Sequence, residues 1–388
     1  MTKEELIAKI KEIDWEFAEA DTQYLTHNIH RYSGKFIPQI AGKVIELITK
    51  PQDIVLDSYM GSGTTLLEAL IRNRNAIGVD LNPLAVLISK VKTTVICNND
   101  IAEIRSELLP YVSYLASGSQ LSLPFQTFDE EKINAQYEKN KWRIEDLWNQ
   151  KWYQADVLAQ LVQIYSCIET IENEKAKNIA LVAFSDILRK SSNASSKYPN
   201  VMFDKNAKKK HLPAKAFIES LNHVIDAVES MTRTLKDIPA SLSIYLQNNL
   251  NLPFGAKSVD AIVAHPPYIA AIPYAEYGSL SLSWLGYNSK ELDGELTGGK
   301  RHSSQVVSRF SDDYKKYFIE SYRVLKPGHF MFLMVGNPVS HGEKVELNAM
   351  TIEYAEQAGF CHVTTAIRHG QNRRGNKMGD EYLIFFMK

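Results

Sequence analysis

Asp53-Ile-Val-Leu-Asp57-Ser-Tyr-Met-Gly61-Ser-Gly63-Thr64 decides the fold. A short apolar run ends on an acid and breaks into a glycine turn. Thr64 to Arg72 then takes helical spacing through Leu66, Leu67 and Leu70. A second run, Ala76-Ile-Gly-Val-Asp80, also ends on an acid, and Pro83 to Val91 reads as another helix. Strand, turn, helix and strand in this order begin a parallel, doubly wound sheet. A glycine turn at a strand end lets a ligand approach the backbone, because no Cβ stands in the way. Its amides can hold a carboxylate while Asp57 accepts from an ammonium, which are the two groups of a free amino acid. Asp80 lies where an acid can accept both hydroxyls of a ribose. Taken alone, Asp80 serves equally as a helix cap, and the glycine turn as a plain connection. No Walker-type lysine follows the glycines, which argues against an NTPase, whereas a dinucleotide fold still fits this stretch by itself.

Later in the chain, Leu242 to Leu246 and Val259 to Ala264 read as strands, and a helix over Asp312 to Leu325 follows a long loop. The turn Lys326-Pro-Gly328 leads to a strand from Phe330 to Val335. A helix near Asn348 to Gln357 precedes strands His362 to Ile367 and Tyr382 to Met387, joined by a basic loop as a closing hairpin. The second strand of this region ends in Ala264-His265-Pro266-Pro267-Tyr268. Two prolines fix φ, remove two donors and leave carbonyls free to accept. An aromatic ring next to them can stack on a flat base. A carbonyl and a side-chain acceptor can then orient an exocyclic amine, with no covalent enzyme intermediate.

These motifs resemble the amino-methyltransferases of DNA, which form N4-methylcytosine or N6-methyladenine. Their donor motif is similar to Asp-Pro-Phe-x-Gly-Ser-Gly-Thr, and their catalytic motif is Ser, Asn or Asp followed by Pro-Pro-Tyr. The flanks agree: His30-Arg-Tyr-Ser-Gly-Lys35-Phe36-Ile-Pro38, Gly78-Val-Asp80-Leu-Asn82-Pro83-Leu-Ala85, Asn251-Leu-Pro-Phe254 and Tyr322-Arg-Val-Leu-Lys-Pro-Gly328 resemble family segments. The resemblance spans two blocks. It implies an α/β fold: a Rossmann-like S-adenosylmethionine-dependent methyltransferase sheet with a C-terminal antiparallel hairpin and a mostly helical insertion. The expected division is a catalytic domain from 1–98 and 240–388, with 99–239 as the target-recognition region.

By the same resemblance, Lys35, Phe36, Asp57, Tyr59, Gly61, Gly63, Thr64, Asp80, Asn82 and Asn248 would bind the cofactor, S-adenosylmethionine. His265, Pro266, Pro267 and Tyr268 would carry catalysis. Two positions depart from the family. Asn248 stands where an acid usually meets the adenine amine, and His265 replaces Ser, Asn or Asp. A neutral imidazole keeps one acceptor nitrogen. Protonation removes it, so an ordinary histidine would lose activity below about pH 6.5. The alternative for His265 is a silent relative that keeps the fold and has lost turnover. Flanking segments favour the cytosine-N4 branch, with adenine N6 as the alternative. None of the three cysteines sits in a Pro-Cys motif, which argues against C5 methylation.

The chain has 388 residues and a formal net charge of -1, so a grip on a polyanion must be local. Lys205, Lys208, Lys209 and Lys210 form one candidate DNA-binding run, and Arg373 and Arg374 a second. Tyr274, Tyr277 and Trp284 read as pocket wall and core. No metal site is expected, since Cys97, Cys167 and Cys361 are far apart and suit reduced thiols. The charged opening MTKEELIAKIKEID lacks a signal peptide's apolar core, and no run suits a membrane span, so a cytoplasmic protein is expected. The implied partner is double-stranded DNA. A restriction-modification role would add a cognate restriction endonuclease that forms no stable complex with the chain.

Overall fold

A computed structural model describes residues 1–35, 37–118, 128–198, 200–269, 274–299, 303–340, 343–371 and 377–388. Its strands are β1 (Ile54–Asp57), β2 (Asn75–Asp80), β3 (Leu242–Leu246), β4 (Val259–Ala264), β5 (Leu325–Gly336), β6 (Val339–Ser340), β7 (Glu343–Lys344), β8 (Cys361–Gln371) and β9 (Lys377–Met387). Seven form one sheet in the order β3-β2-β1-β4-β5-β9-β8, and β6 pairs with β7 alone. β1 to β5 run parallel, and β9 lies antiparallel between β5 and β8. This is the expected Rossmann-like methyltransferase sheet with its closing hairpin. The chain winds outward from β1 through β2 to β3, then returns to β4 on the other side of β1. Ligands of open α/β sheets bind at such a reversal, beyond the carboxyl ends of the strands. Asp57 and His265 both lie there.

Parallel strands covered on both faces read as continuous apolar runs, and every residue of β4 is buried. Alternation sends Ala261 and Val263, with Phe330 and Phe332, into one core. Ile262 and Ala264, with Met331 and Leu333, enter the other. The first core continues through helices Pro38–Ile48, Thr64–Ile71 and Pro83–Lys92 into the middle of the chain. Helices Val306–Val324 and Leu347–Gln357 cover the second.

The middle is helical as expected, including Ala155–Thr170, Glu174–Ser191 and Pro213–Leu235. Phe217, Leu221, Val224, Ile225 and Val228 are buried along one face of the last. Buried polar contacts tie this region to the sheet. His30 Nε2 lies 2.9 Å from Ser185 Oγ, which donates to Ser281 Oγ at 2.7 Å.

Several boundaries differ from the sequence reading: the hairpin strands expected at His362–Ile367 and Tyr382–Met387 extend to Cys361–Gln371 and Lys377–Met387. The helix expected from Asp312 begins at Val306. The Lys326-Pro-Gly328 turn is a bulge inside β5 rather than a connection before it. The ladder passes from Val259–Leu325 to Ala261–Phe330, and Gly328 takes φ +77°. Asp260 braces the bulge: it accepts from Lys326 Nζ at 2.6 Å and from the Ile54 amide at 2.9 Å.

Candidate active site

A cleft opens at the reversal between β1 and β4, where ligands of open α/β sheets bind. Tyr59, Gly61, Asp80, Asn82, Asn248, His265 and Pro267 line it. The two blocks of the sequence motif thus meet in one cavity. Lys35, Asp57, Gly63, Thr64, Pro266 and Tyr268 are not part of its lining, and Phe36, Arg373 and Arg374 lie outside the described residues.

The glycine turn closes tightly. Gly61 has φ +49° and Gly63 φ +77°, the left-handed region that other residues rarely enter. A Cβ on Gly63 would lie 2.8 Å from Ser89 Oγ, and Ser89 Oγ itself donates to the Gly61 carbonyl at 2.8 Å. Gly63 therefore lets the helix Pro83–Lys92 press against the turn. Asp80 holds both sides of the cleft rim, accepting from the Gly61 amide at 2.9 Å and the Asn82 amide at 2.8 Å. The helix cap is Asn82, whose Oδ1 accepts from the Leu84 amide at 3.0 Å. Asp80 remains facing the cleft.

Asp57 is 1% exposed and accepts from the Tyr59 amide at 3.1 Å. Burial raises its carboxyl to about 7, and burial likewise raises that of Asp80 to about 6. Two acids held out of water at one strand edge favour a ligand that brings positive charge or hydroxyl donors.

At the other end, His265 Nε2 lies 3.0 Å from the Tyr268 hydroxyl, with the rings edge to face at 5.3 Å. Burial lowers His265 to about 4, so the imidazole is neutral at physiological pH. The acid limb expected near pH 6.5 moves down accordingly. Tyr268 does not face the cleft: a Cβ on Gly336 would meet its ring at 3.0 Å. Gly336, at the end of β5, leaves room for the hydroxyl edge of that ring.

The cleft has walls that the sequence reading did not single out. Tyr32, Gly34, Ser58, Gln247, Asn249 and the segment Glu295 to Thr297 also line it. Asn249 Nδ2 donates to the Ser58 carbonyl at 2.9 Å, and Asn248 Oδ1 accepts from the Leu250 amide at 2.9 Å. Tyr32 and Gly34 were available in the quoted donor segment, while Asn249 and the 295–297 segment carry no motif. Tyr274 lines the cleft and Trp284 is buried, matching their reading as wall and core. Lys35 donates to the His27 carbonyl at 2.6 Å, and His27 Nε2 lies 2.9 Å from Glu68 of the helix Thr64–Ile71. These contacts pin the donor segment beside the turn.

Of the basic run, Lys205, Lys208 and Lys209 are exposed, while Lys210 Nζ donates to the Lys190 carbonyl at 3.4 Å. No helix among the described residues is long and apolar enough to cross a membrane.

Residues 8–91 match the DNA methylase family. The chain is 24% identical over 423 residues to Type II methyltransferase M.MvaI of Kocuria varians, covering 92% of this chain and 87% of that protein. It is 24% identical over 407 residues to Type II methyltransferase M.MjaII of Methanocaldococcus jannaschii, covering 84% and 75% respectively. A solved SAM-dependent methyltransferase from Methanosarcina mazei aligns at 11% identity and a TM-score of 0.34, over 89% of this chain and 96% of that one. The chain is thus similar to DNA methyltransferases over most of its length, and its residues 8–91 match the DNA methylase family. The methyl donor of that family is S-adenosylmethionine.

Proposed function

We propose that this chain methylates N4 of cytosine in double-stranded DNA as the modification enzyme of a restriction-modification system. The observation that carries the proposal is the shared cleft: Tyr59, Gly61, Asp80 and Asn82 face the same space as His265 and Pro267. Donor site and amine-orienting turn therefore serve one reaction. The flanking segments favour cytosine over adenine N6, and the relatives named as Type II methyltransferases supply the restriction-modification context. A cognate endonuclease would recognise the same sequence without forming a stable complex. Three unpaired cysteines suit a cytoplasmic setting.

S-adenosylmethionine supplies, when bound, an electrophilic methyl on its sulfonium. The chain's residues do the rest by alignment, which is worth much of the barrier once reactants are held at attack distance. Asp57 would hold the ammonium, Asp80 the ribose hydroxyls, and Tyr59 and Asn248 the adenine. Lys35, Phe36, Gly63 and Thr64 act through the shape of the donor segment and turn. The target base leaves the duplex, because its amine is otherwise paired. The carbonyl of Pro266 and the neutral imidazole of His265 accept from that amine, and Tyr268 stacks on the base. Here the structure adds a condition. The Tyr268 hydroxyl engages the His265 Nε2, so base entry must turn Tyr268 from Gly336 to the ring face and free that nitrogen. The amine, on accepting the methyl, would release its proton to solvent. The helical region 99–239 reads the target sequence, gripping phosphates through Lys205, Lys208, Lys209 and Lys210, with Arg373 and Arg374 as a second contact.

The test offers purified protein and methyl-labelled donor separately to duplex DNA, RNA and a protein extract. Label in duplex DNA alone is expected; label only in RNA or protein would refute the proposal, and donor binding without transfer would identify a silent DNA-binding relative.

A further inference from the structure

Beside the donor cleft lies a second one, of about 820 Å³, that shares Tyr32 and Tyr274 with it. Three distant segments build it: the donor segment with Arg31, the helix Glu174–Ser191 with Asp186, Arg189 and Lys190, and Tyr277 after the catalytic turn. Gly34 fits the shared wall closely, since a Cβ there would lie 2.8 Å from the Tyr274 ring.

The charged side chains that line this cleft are mostly basic. Arg31, Arg189 and Lys190 face one carboxylate, Asp186. Lys190 Nζ reaches Asp186 at 3.5 Å, and Ser220 Oγ donates to the same carboxylate at 3.4 Å. Arg189 donates through Nη2 to the carbonyls of Ser195 at 3.2 Å and Asn200 at 3.0 Å. It thereby fixes the loop that follows its helix. Arg31 is exposed and has no ion pair or side-chain hydrogen bond among the described residues. Burial and then the charge of Arg31 loosen the hold of Arg189 on its proton. Two guanidinium groups thus repel each other in a partly closed space beside the reaction site. Arg31, exposed at this cleft, offers its charge to an anion, and guanidinium suits a phosphate oxygen pair. Lys210, whose head group lies on the Lys190 carbonyl, connects this rim to the basic run.

We propose that the second cleft seats a backbone phosphate flanking the target nucleotide, with Arg31 and Lys190 as its cationic contacts. Arg189 is a positioning residue that holds the loop around it. The inference rests on the DNA reading above: a base that enters the first cleft carries its backbone past the wall that both clefts share. The phosphate contact places the strand so that the amine meets the catalytic turn.

The experiment uses the full chain and a duplex containing the site mapped from DNA it has methylated. A single neutral methylphosphonate replaces each phosphate around the target base in turn. Wild type is expected to lose affinity at one flanking position, while Arg31→Ala/Lys190→Ala binds more weakly and is indifferent to replacement there. Its slope of log affinity against log salt should fall by about 0.9, the amount for one phosphate, with an unchanged thermal unfolding midpoint as evidence of folding. A double variant that keeps wild-type sensitivity at every position would overturn the proposal. Wild type that methylates no DNA would remove the DNA reading and this ligand with it.

Discussion

Binding of S-adenosylmethionine near pH 7 should release a fraction of a proton, because Asp57 is only partly ionised there in the free protein. Burial, with no cation beside it, raises this carboxyl to about 7. An ammonium placed against it favours the ionised form, so donor affinity should rise with pH through that value. With the free group half ionised at pH 7, affinity should fall about five-fold to pH 6, and about ten-fold over the next unit. Below pH 7 the donor's own amine, ordinarily at about 7.7–8.0, stays charged, so the limb belongs to the protein. Asp80, raised to about 6, adds to the lower step. Calorimetry at pH 7 in buffers of different ionisation enthalpy should detect about half a proton released per donor. Asp57→Asn should remove that release and weaken binding at pH 7 by roughly 10- to 150-fold, the range for a lost charge-assisted bond of about 1.5–3 kcal/mol. Affinity that stays flat from pH 7 to pH 5, or that is unchanged in the Asn variant, would refute the placement of the ammonium at Asp57.

At saturating donor, turnover should show no acid limb from His265 above about pH 5, because burial holds the imidazole near 4; single-turnover rates across pH check this, and a limb at pH 6.5 would contradict it. His265→Ala should lose most turnover, whereas His265→Ser or His265→Asn should keep part of it. Tyr268→Phe keeps the stacking ring and loses the bond to His265, so it should methylate, while Tyr268→Ala should lose roughly 1–3 kcal/mol of base stacking with donor affinity intact. Replacing the exposed Lys205, Lys208 and Lys209 with Ala should flatten the salt dependence of DNA binding by about 0.9 for each phosphate no longer gripped; an unaltered slope would make the run a solvated loop.

Elements whose local chemistry is self-contained were legible. β3 and β4 match their expected limits, Leu242–Leu246 and Val259–Ala264, because each is an apolar run bounded by turn residues. The glycine turn announced the reversal point, and the sheet order follows from strand–helix alternation. Less legible were features set by partners far along the chain. The β5 bulge depends on Asp260 gripping Lys326, which a Lys-Pro-Gly turn signal does not reveal. The Tyr268 orientation depends on the absent side chain at Gly336, on a different strand end. Burial moved His265 far from its ordinary value, and a motif read by residue type carries no burial. The second cleft exists only because the helix Glu174–Ser191 docks against the donor segment.

The most direct measurement is nucleoside mass spectrometry of duplex DNA incubated with the protein and labelled S-adenosylmethionine. The account predicts labelled N4-methylcytosine. Labelled N6-methyladenine would contradict the cytosine assignment while keeping the amine-orienting turn, and unlabelled DNA or labelled 5-methylcytosine would contradict the central claim itself.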